Sequence, residues 1–528
     1  MSALPKKATF LVEGLEEIEP AFASFDGTMY AGMMPFESYP DRQGELMFWI
    51  YLSAEESDSL ILWLNGGPGC SSFNGGLMME NSPVTVPPHP AGYCCSGPHE
   101  SLQPNPYGWA HKTNVLYVEQ PAGTGFSNGP EPVSEEDVSK DMYAFLENFF
   151  AIFPEVSAKR FFIFGESYAG MYVPSIAREI YKKNLIKNNR KINLQGIALG
   201  NGWIDPKIQG KSVIDYAWWH GMIDTTTRSS LLHRWEHCLV GGTPNPPLHP
   251  FTTRDECGMA DLVLSASGKG LLEGAKSGGP NVYDVTTWDM YPNVLDSDNP
   301  NTTNALFFNN IRVKKALHAP KSVIWRGCIP GAGRRRRLTM LDDDKPLSMT
   351  PYLAELMDKA NIRVLVYNGD RDLSVNGPGT ELALDEMKEW SGHKYWKHAR
   401  RGLWLDQHKK MAGYAKHYQH LTFLTVYNSG HLMPYNQPER GTDLLLRFLS
   451  NTSFLDTVIP QIHFEETVFN PPLSEEKDQF KLYHSRTPVA TLLSICLLGI
   501  AIGLSVREAW DWFTRKGRRQ HYERVDQP

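Results

Sequence analysis

The sequence predicts an α/β fold, a doubly wound and mostly parallel sheet with helices on both faces. Two observations carry this. Short runs rich in β-branched and aromatic residues are apolar throughout, as strands covered on both faces read. Between residues 115 and 200 such runs alternate with stretches of helical period, the order that crossover helices require. Strands are expected at 46–51, 60–64, 115–118 and 161–164, then at 194–199, 362–367 and 421–426. Helices are expected at 134–151 and 168–184.

The alternation fails from about 205 to 355, a stretch rich in Gly and Pro that holds Trp218, Trp219 and Trp235. It reads as an insertion over the C-terminal edge of the sheet, a lid that would shape a pocket. Four consecutive arginines, Arg334 to Arg337, lie in it, either a solvated loop or a processing site for a basic-specific protease. The expected organisation is a segment 1–20, a main domain 21–451 with this insertion, a polar stalk 452–486, a membrane helix 487–506 and a tail 507–528.

The membrane helix rests on 20 uncharged residues, Thr487 to Val506, long enough as a helix to cross a hydrocarbon core of about 30 Å. Trp510, Trp512 and Phe513 follow as an interfacial belt. Arg515, Lys516, Arg518 and Arg519 then mark a cytoplasmic tail. This single-pass anchor places the bulk of the chain in the lumen of the secretory pathway, in a Golgi- or vacuole-type membrane or at the cell surface. Residues 1–20 carry Lys6, Lys7, Glu13, Glu16, Glu17 and Glu19 and do not read as a signal peptide. The alternatives are a leader missing from this chain and a tail-anchored protein with its bulk in the cytosol. The cysteines and sequons favour the first. Of 7 cysteines, Cys496 lies in the apolar run, and the remaining even set includes the vicinal Cys94 and Cys95. Sequons stand at Asn301 and Asn451, and both features suit an oxidising compartment.

Composition excludes other classes. Of 528 residues, 41% are apolar and 21% charged, which is ordinary globular usage rather than a disordered or fibrous chain. A mean hydropathy of -0.37 excludes a multispanning transporter. A net charge of -7 gives no broad attraction to nucleic acid. No metal-ligand cluster, nucleotide loop or cofactor motif is present, so no metal and no cofactor is expected. Oligomeric state is not encoded in any readable pattern.

Chemistry enters at F-F-I-F-G-E-S-Y-A-G, residues 161–170. An apolar strand runs into Gly165-Glu166-Ser167-Tyr168-Ala169, and a helix pattern follows. This is the setting of a nucleophile elbow, in which small residues two before and two after let the serine stand at the tip of a sharp turn. Such a serine needs an acid and then a base further along the chain. Strand 362–367 is followed by Asp370 and Asp372, and strand 421–426 by His431. All lie in loops after apolar strands, where α/β sheets gather their chemistry.

With W-L-N-G-G-P-G-C-S-S at 63–72, V-E-Q-P-A-G-T-G-F-S at 118–127 and G-E-S-Y-A-G at 165–170, the chain resembles the serine carboxypeptidases. L-G-N-G-W-I-D-P at 199–206, N-G-D-R-D at 368–372 and S-G-H-L-M-P at 429–434 complete the resemblance, over roughly 20–450. It implies an α/β-hydrolase fold and a serine-type carboxypeptidase that takes peptide or protein C-termini through an acyl-enzyme, best in acid. It implies Ser167 as nucleophile, His431 as base and Asp372 rather than Asp370 as its partner. Gly67 and Tyr168 would supply oxyanion N–H groups. Asn65, Gly66, Glu166 and Glu80 would bind the substrate's terminal carboxylate, Glu80 after a one-residue shift in the preceding segment. Cys70 and Cys328 match a family disulfide, and Cys238 could pair with Cys257. The anchor resembles that of the membrane-bound, pheromone-processing fungal type, although the stalk is shorter and segment 82–110 departs from the family pattern. An esterase or acyltransferase on the same scaffold is the alternative activity, and a non-enzymatic binding protein the third reading.

Overall fold

The computed structural model describes residues 4–86, 101–240, 258–267, 280–288, 302–329 and 348–458. Eleven strands form one sheet. In chain order they are β1 (Thr28–Tyr39), β2 (Arg42–Leu52), β3 (Ser59–Leu64), β4 (Asn114–Val118), β5 (Arg160–Glu166) and β6 (Leu194–Gly200). Then come β7 (Arg363–Gly369), β8 (Arg400–Leu405), β9 (Met411–Tyr418), β10 (Leu421–Val426) and β11 (Thr457–Val458). Their spatial order is β1-β2-β4-β3-β5-β6-β7-β10-β9-β8-β11. The block from β4 to β10 is parallel. The strands outside it pair antiparallel.

The seven expected strands are all present, and the apolar runs explain why the central ones sit where they do. In β3, Leu60, Leu62 and Leu64 point to one face, and Ile61 and Trp63 to the other. The first face packs on helices α1 (Glu135–Ile152), α2 (Ala169–Leu185) and, later in the chain, Thr350–Ala360. The second packs on Leu444, Leu445 and Phe448 of the helix Pro438–Ser450. Helix α1 starts where Ser134 accepts the Asp137 N–H, with Glu135, Glu136 and Asp137 favouring the positive end of the dipole.

Within the expected insertion, α3 (Pro206–Trp219), α4 (Thr225–Val240) and α5 (Met259–Ala266) pack round a separate apolar cluster that includes Val213, Trp235 and Val263. Asp205 caps α3 by accepting the Ile208 N–H, and Pro206 suits its first turn. A two-stranded ribbon, Pro280–Asn281 with Asp284–Trp288, follows. Arg334 to Arg337, Cys94, Cys95, Cys257, Asn301 and the 487–506 run lie outside the described residues. No helix among the described residues is long and apolar enough to cross a membrane. The folded part reaches past Asn451, because β11 pairs with β8 in the first residues of the expected stalk.

Candidate active site

All six parallel strands end on one edge, and each runs into a loop that carries a polar residue of interest. Asn65 follows β3, Glu119 follows β4, Ser167 follows β5 and Asn201 follows β6. Asp372 and His431 follow β7 and β10. The register sets Glu166 beside Gly200 and Gly369 beside Val426, so these loops start at similar heights.

The expected elbow is present. Ser167 lies between β5 and α2 with φ of 65°, a left-handed conformation that is unfavourable for a serine and is held by its surroundings. The Ser167 N–H donates to Gly200 O at 3.1 Å, and Ser167 O accepts from Trp203 N at 2.8 Å. Small neighbours are required, as a Cβ built on Gly165 would lie 2.7 Å from that of Ala169.

His431 Nδ1 and Asp372 Oδ2 are 2.6 Å apart, and both residues are at most 2% exposed. Asp372 also accepts from Asn201 Nδ2 at 2.8 Å and from Ser374 N at 2.8 Å. These donors fix the orientation of the Asp372 carboxyl. Asp370 points elsewhere: its Oδ1 accepts the Ser429 N–H, and burial raises its pKa. The geometry therefore separates the two aspartates, which spacing could not. The insertion takes part as well, since the His431 N–H donates to Tyr283 O at 2.7 Å and Val282 O accepts from Leu373 N and Ser374 N.

A second cluster lies beside this one. Asn65 Oδ1 accepts from Trp63 Nε1 at 2.8 Å and from Gly76 N at 2.9 Å. With its oxygen so engaged, the amide nitrogen must face the other way. There it donates to Glu80 Oε1 at 3.4 Å and Glu166 Oε1 at 3.3 Å. Both glutamates are 2% exposed. Burial, then the charge and hydrogen bond of Glu80, push the Glu166 carboxyl well above its usual range. Burial raises Glu80 as well. Two carboxyls sharing one dry site cannot both ionise cheaply, so the pair holds a proton. Asp372 acts electrostatically on Glu166 and His431 on Glu80, which ties the cluster to the His431–Asp372 pair. Glu80 lies on a π-helix, Phe73–Asn81, where Leu77 N reaches back to Ser72 O. That winding is where the one-residue shift was expected, and it is a form that recurs at functional sites.

Gly66 and Gly67 bring the two clusters together. Gly67 has φ of 111°, a conformation that favours glycine. A Cβ on Gly66 would lie 2.3 Å from Tyr168 N, so the 66–67 backbone rests against the start of α2. Two segments that could present N–H groups to one anion are thereby adjacent. Cys70 and Cys328 form a disulfide, and Cys238 is also disulfide-bonded. Asn451 is exposed, and its Oδ1 accepts from Arg363. Sequence reasoning had assigned no role to Asn201, Tyr283, Trp63 or Glu119.

Comparison with known proteins gives the family. The family model described as serine carboxypeptidase matches residues 20–451. The pheromone-processing carboxypeptidase KEX1 of Meyerozyma guilliermondii is 32% identical over 82% of this chain and 65% of its own length. The venom serine carboxypeptidase of Apis mellifera is 31% identical over 80% of this chain and 85% of its own. The crystal structure of a prohormone-processing carboxypeptidase from Saccharomyces cerevisiae superposes with a TM-score of 0.72. It is 28% identical and covers 85% of this chain and 97% of that one.

Proposed function

Since the chain belongs to the serine carboxypeptidase family and is a serine-type carboxypeptidase, we propose that it removes C-terminal residues from peptides or proteins through an acyl-enzyme on Ser167. The observation that carries the substrate assignment is the buried Asn65–Glu80–Glu166 cluster beside the His431–Asp372 pair. An ester has no use for such a cluster. A free C-terminus does, because its carboxylate can accept from Asn65 Nδ2, from the Gly66 N–H and from the proton held by the glutamates.

Binding there sets the scissile carbonyl over Ser167. His431 takes the serine proton while Asp372 stabilises the imidazolium. The tetrahedral oxyanion accepts from the Gly67 and Tyr168 N–H groups at the start of α2, where the helix dipole also favours negative charge. The protonated His431 then passes its proton to the leaving amine. The released residue departs, and water enters to hydrolyse the ester. Acid favours this enzyme because the carboxylate site needs its proton.

We place the catalytic domain in the lumen of the secretory pathway, anchored by 487–506 with a basic cytoplasmic tail. The disulfides and the exposed Asn451 support an oxidising compartment. The test pairs a blocked dipeptide as its free acid with the same dipeptide as its amide. The acid should be cleaved with the far higher kcat/KM, and Ser167→Ala or labelling of Ser167 by an organophosphonate should abolish the reaction. Retained hydrolysis in Ser167→Ala would overturn the assignment.

A further inference from the structure

We propose that Glu119 is a positioning residue for this reaction, a carboxyl that holds the Gly66–Ser71 turn in its working place through Ser71. Glu119 directly follows β4, is fully buried, and receives three donors. Ser71 Oγ donates to Oε1 at 2.6 Å, Trp325 Nε1 to Oε1 at 2.7 Å and the Phe126 N–H to Oε2 at 2.7 Å. The donors belong to three separate stretches of chain, so one carboxyl ties together the turn, the 119–127 loop and the 323–329 segment. Its own backbone is fixed by Glu119 N donating to Met47 O and by Ser127 Oγ donating to Glu119 O.

Ser71 is the far end of the turn whose near end holds Asn65, Gly66 and Gly67. Its Oγ accepts the Phe73 N–H at 3.0 Å, which sets the start of the π-helix that carries Glu80. Its N–H donates to Gly327 O, and Gly69 O accepts from Ile329 N. Between the Ser71 anchor and β3 the turn is closed on itself by the Cys70 N–H donating to Gly66 O at 3.0 Å. A shift at Ser71 is therefore passed to the Gly66 and Gly67 N–H groups and to Glu80. No substrate atom needs to touch Glu119 for it to matter, because misplacing such donors by about 1 Å costs on the order of a hundredfold in rate.

A carboxyl suits the position in either protonation state. If protonated, Glu119 can donate to Ser71 Oγ across the same short distance, and each oxygen keeps a lone pair for Trp325 and Phe126. A glutamine cannot do this. Its NH2 must face either the Trp325 N–H or the Phe126 N–H, so one donor is always opposed.

The inference rests on the assignment of the 66–67 backbone to substrate, and the test separates the two. Wild type, Ser167→Ala, Glu119→Gln, Ser71→Ala and the double variant are assayed on the free-acid dipeptide. Rates are expressed per active site after titration with an organophosphonate, so that a folded fraction below one does not count; Ser167→Ala, which has no hydroxyl to titrate, is expressed per mole of folded protein. Glu119→Gln and Ser71→Ala should each lower per-site kcat/KM about 10- to 100-fold, as losses of supporting hydrogen bonds at active sites do. Most of the loss should fall in kcat. The double variant should be no worse than the worse single one, because both act through one hydrogen bond. Wild-type per-site kcat and KM in both singles, or losses that multiply in the double, would overturn the inference. If Glu119→Gln does not fold, Ser71→Ala decides alone by the same kcat criterion. Activity retained in Ser167→Ala would instead overturn the site assignment itself.

Discussion

The shared proton of Glu80 and Glu166 makes a quantitative prediction for binding. Burial and mutual proximity raise both carboxyls, so the pair carries one proton in mild acid and loses it as pH rises. If the substrate carboxylate binds only the protonated pair, each pH unit above the pair's apparent pKa makes binding about 1.4 kcal/mol weaker, a factor of ten. The loss must level off. A like charge at about 4 Å with an effective dielectric near 20 costs on the order of 4 kcal/mol, which sets a ceiling of about a thousandfold. For a free-acid dipeptide, KM should therefore climb between pH 5 and 8 with a slope approaching one log unit per pH unit. The matching amide brings no charge to the site, so its KM should change much less. Glu166→Gln keeps a neutral donor at every pH and should flatten the free-acid curve. Steady-state kinetics over that range, with ionic strength held constant, supply the test. Parallel acid and amide curves, both unchanged by Glu166→Gln, would refute the reasoning and remove the pair from substrate binding.

Asp372→Asn should leave the fold intact, since its remaining oxygen can still accept the Ser374 N–H, yet lower kcat about 10⁴-fold because its NH2, turned to His431, favours the wrong imidazole tautomer. A loss below tenfold in the purified variant would contradict the role given to Asp372. Glu119 predicts how stability varies with pH. Burial pushes its carboxyl up to about 7, above the ordinary 4.5, so folding favours the protonated form. That contribution is complete below pH 4.5 and is lost as pH rises through 7, roughly 3 kcal/mol in all. Wild type should melt higher at pH 5 than at pH 8 and Glu119→Gln should narrow that difference; equal narrowing in a distant surface Glu→Gln control would count against the assignment.

Much of this site is legible in the sequence because its parts follow strands that are apolar on both faces. Ser167, Asp372 and His431 are each a few residues past such a run, and the parallel topology brings the ends together. Of the strands that pair only antiparallel, β2 alone is expected, from its apolar run 46–51. Thr28–Tyr39 and Met411–Tyr418 are half exposed and contain Gly and polar residues, and Arg400–Leu405 opens on two arginines, so none reads as a buried run. Asn201 and Glu119 lie inside motifs that were read as signatures. The signal that marks both is a polar residue directly after a buried strand. Tyr283 gave no signal, because it serves the site through its carbonyl, which every residue possesses.

The Tyr283 carbonyl has a consequence for how this scaffold can be altered. Because the ribbon carrying it hydrogen-bonds His431, Leu373 and Ser374, the insertion is a splint on the proposed base. A chimaera that exchanges the whole insertion to import another side-chain preference would also remove that splint. Exchanges that keep Pro280–Trp288 in place and vary only the helical part should change preference with less damage to turnover.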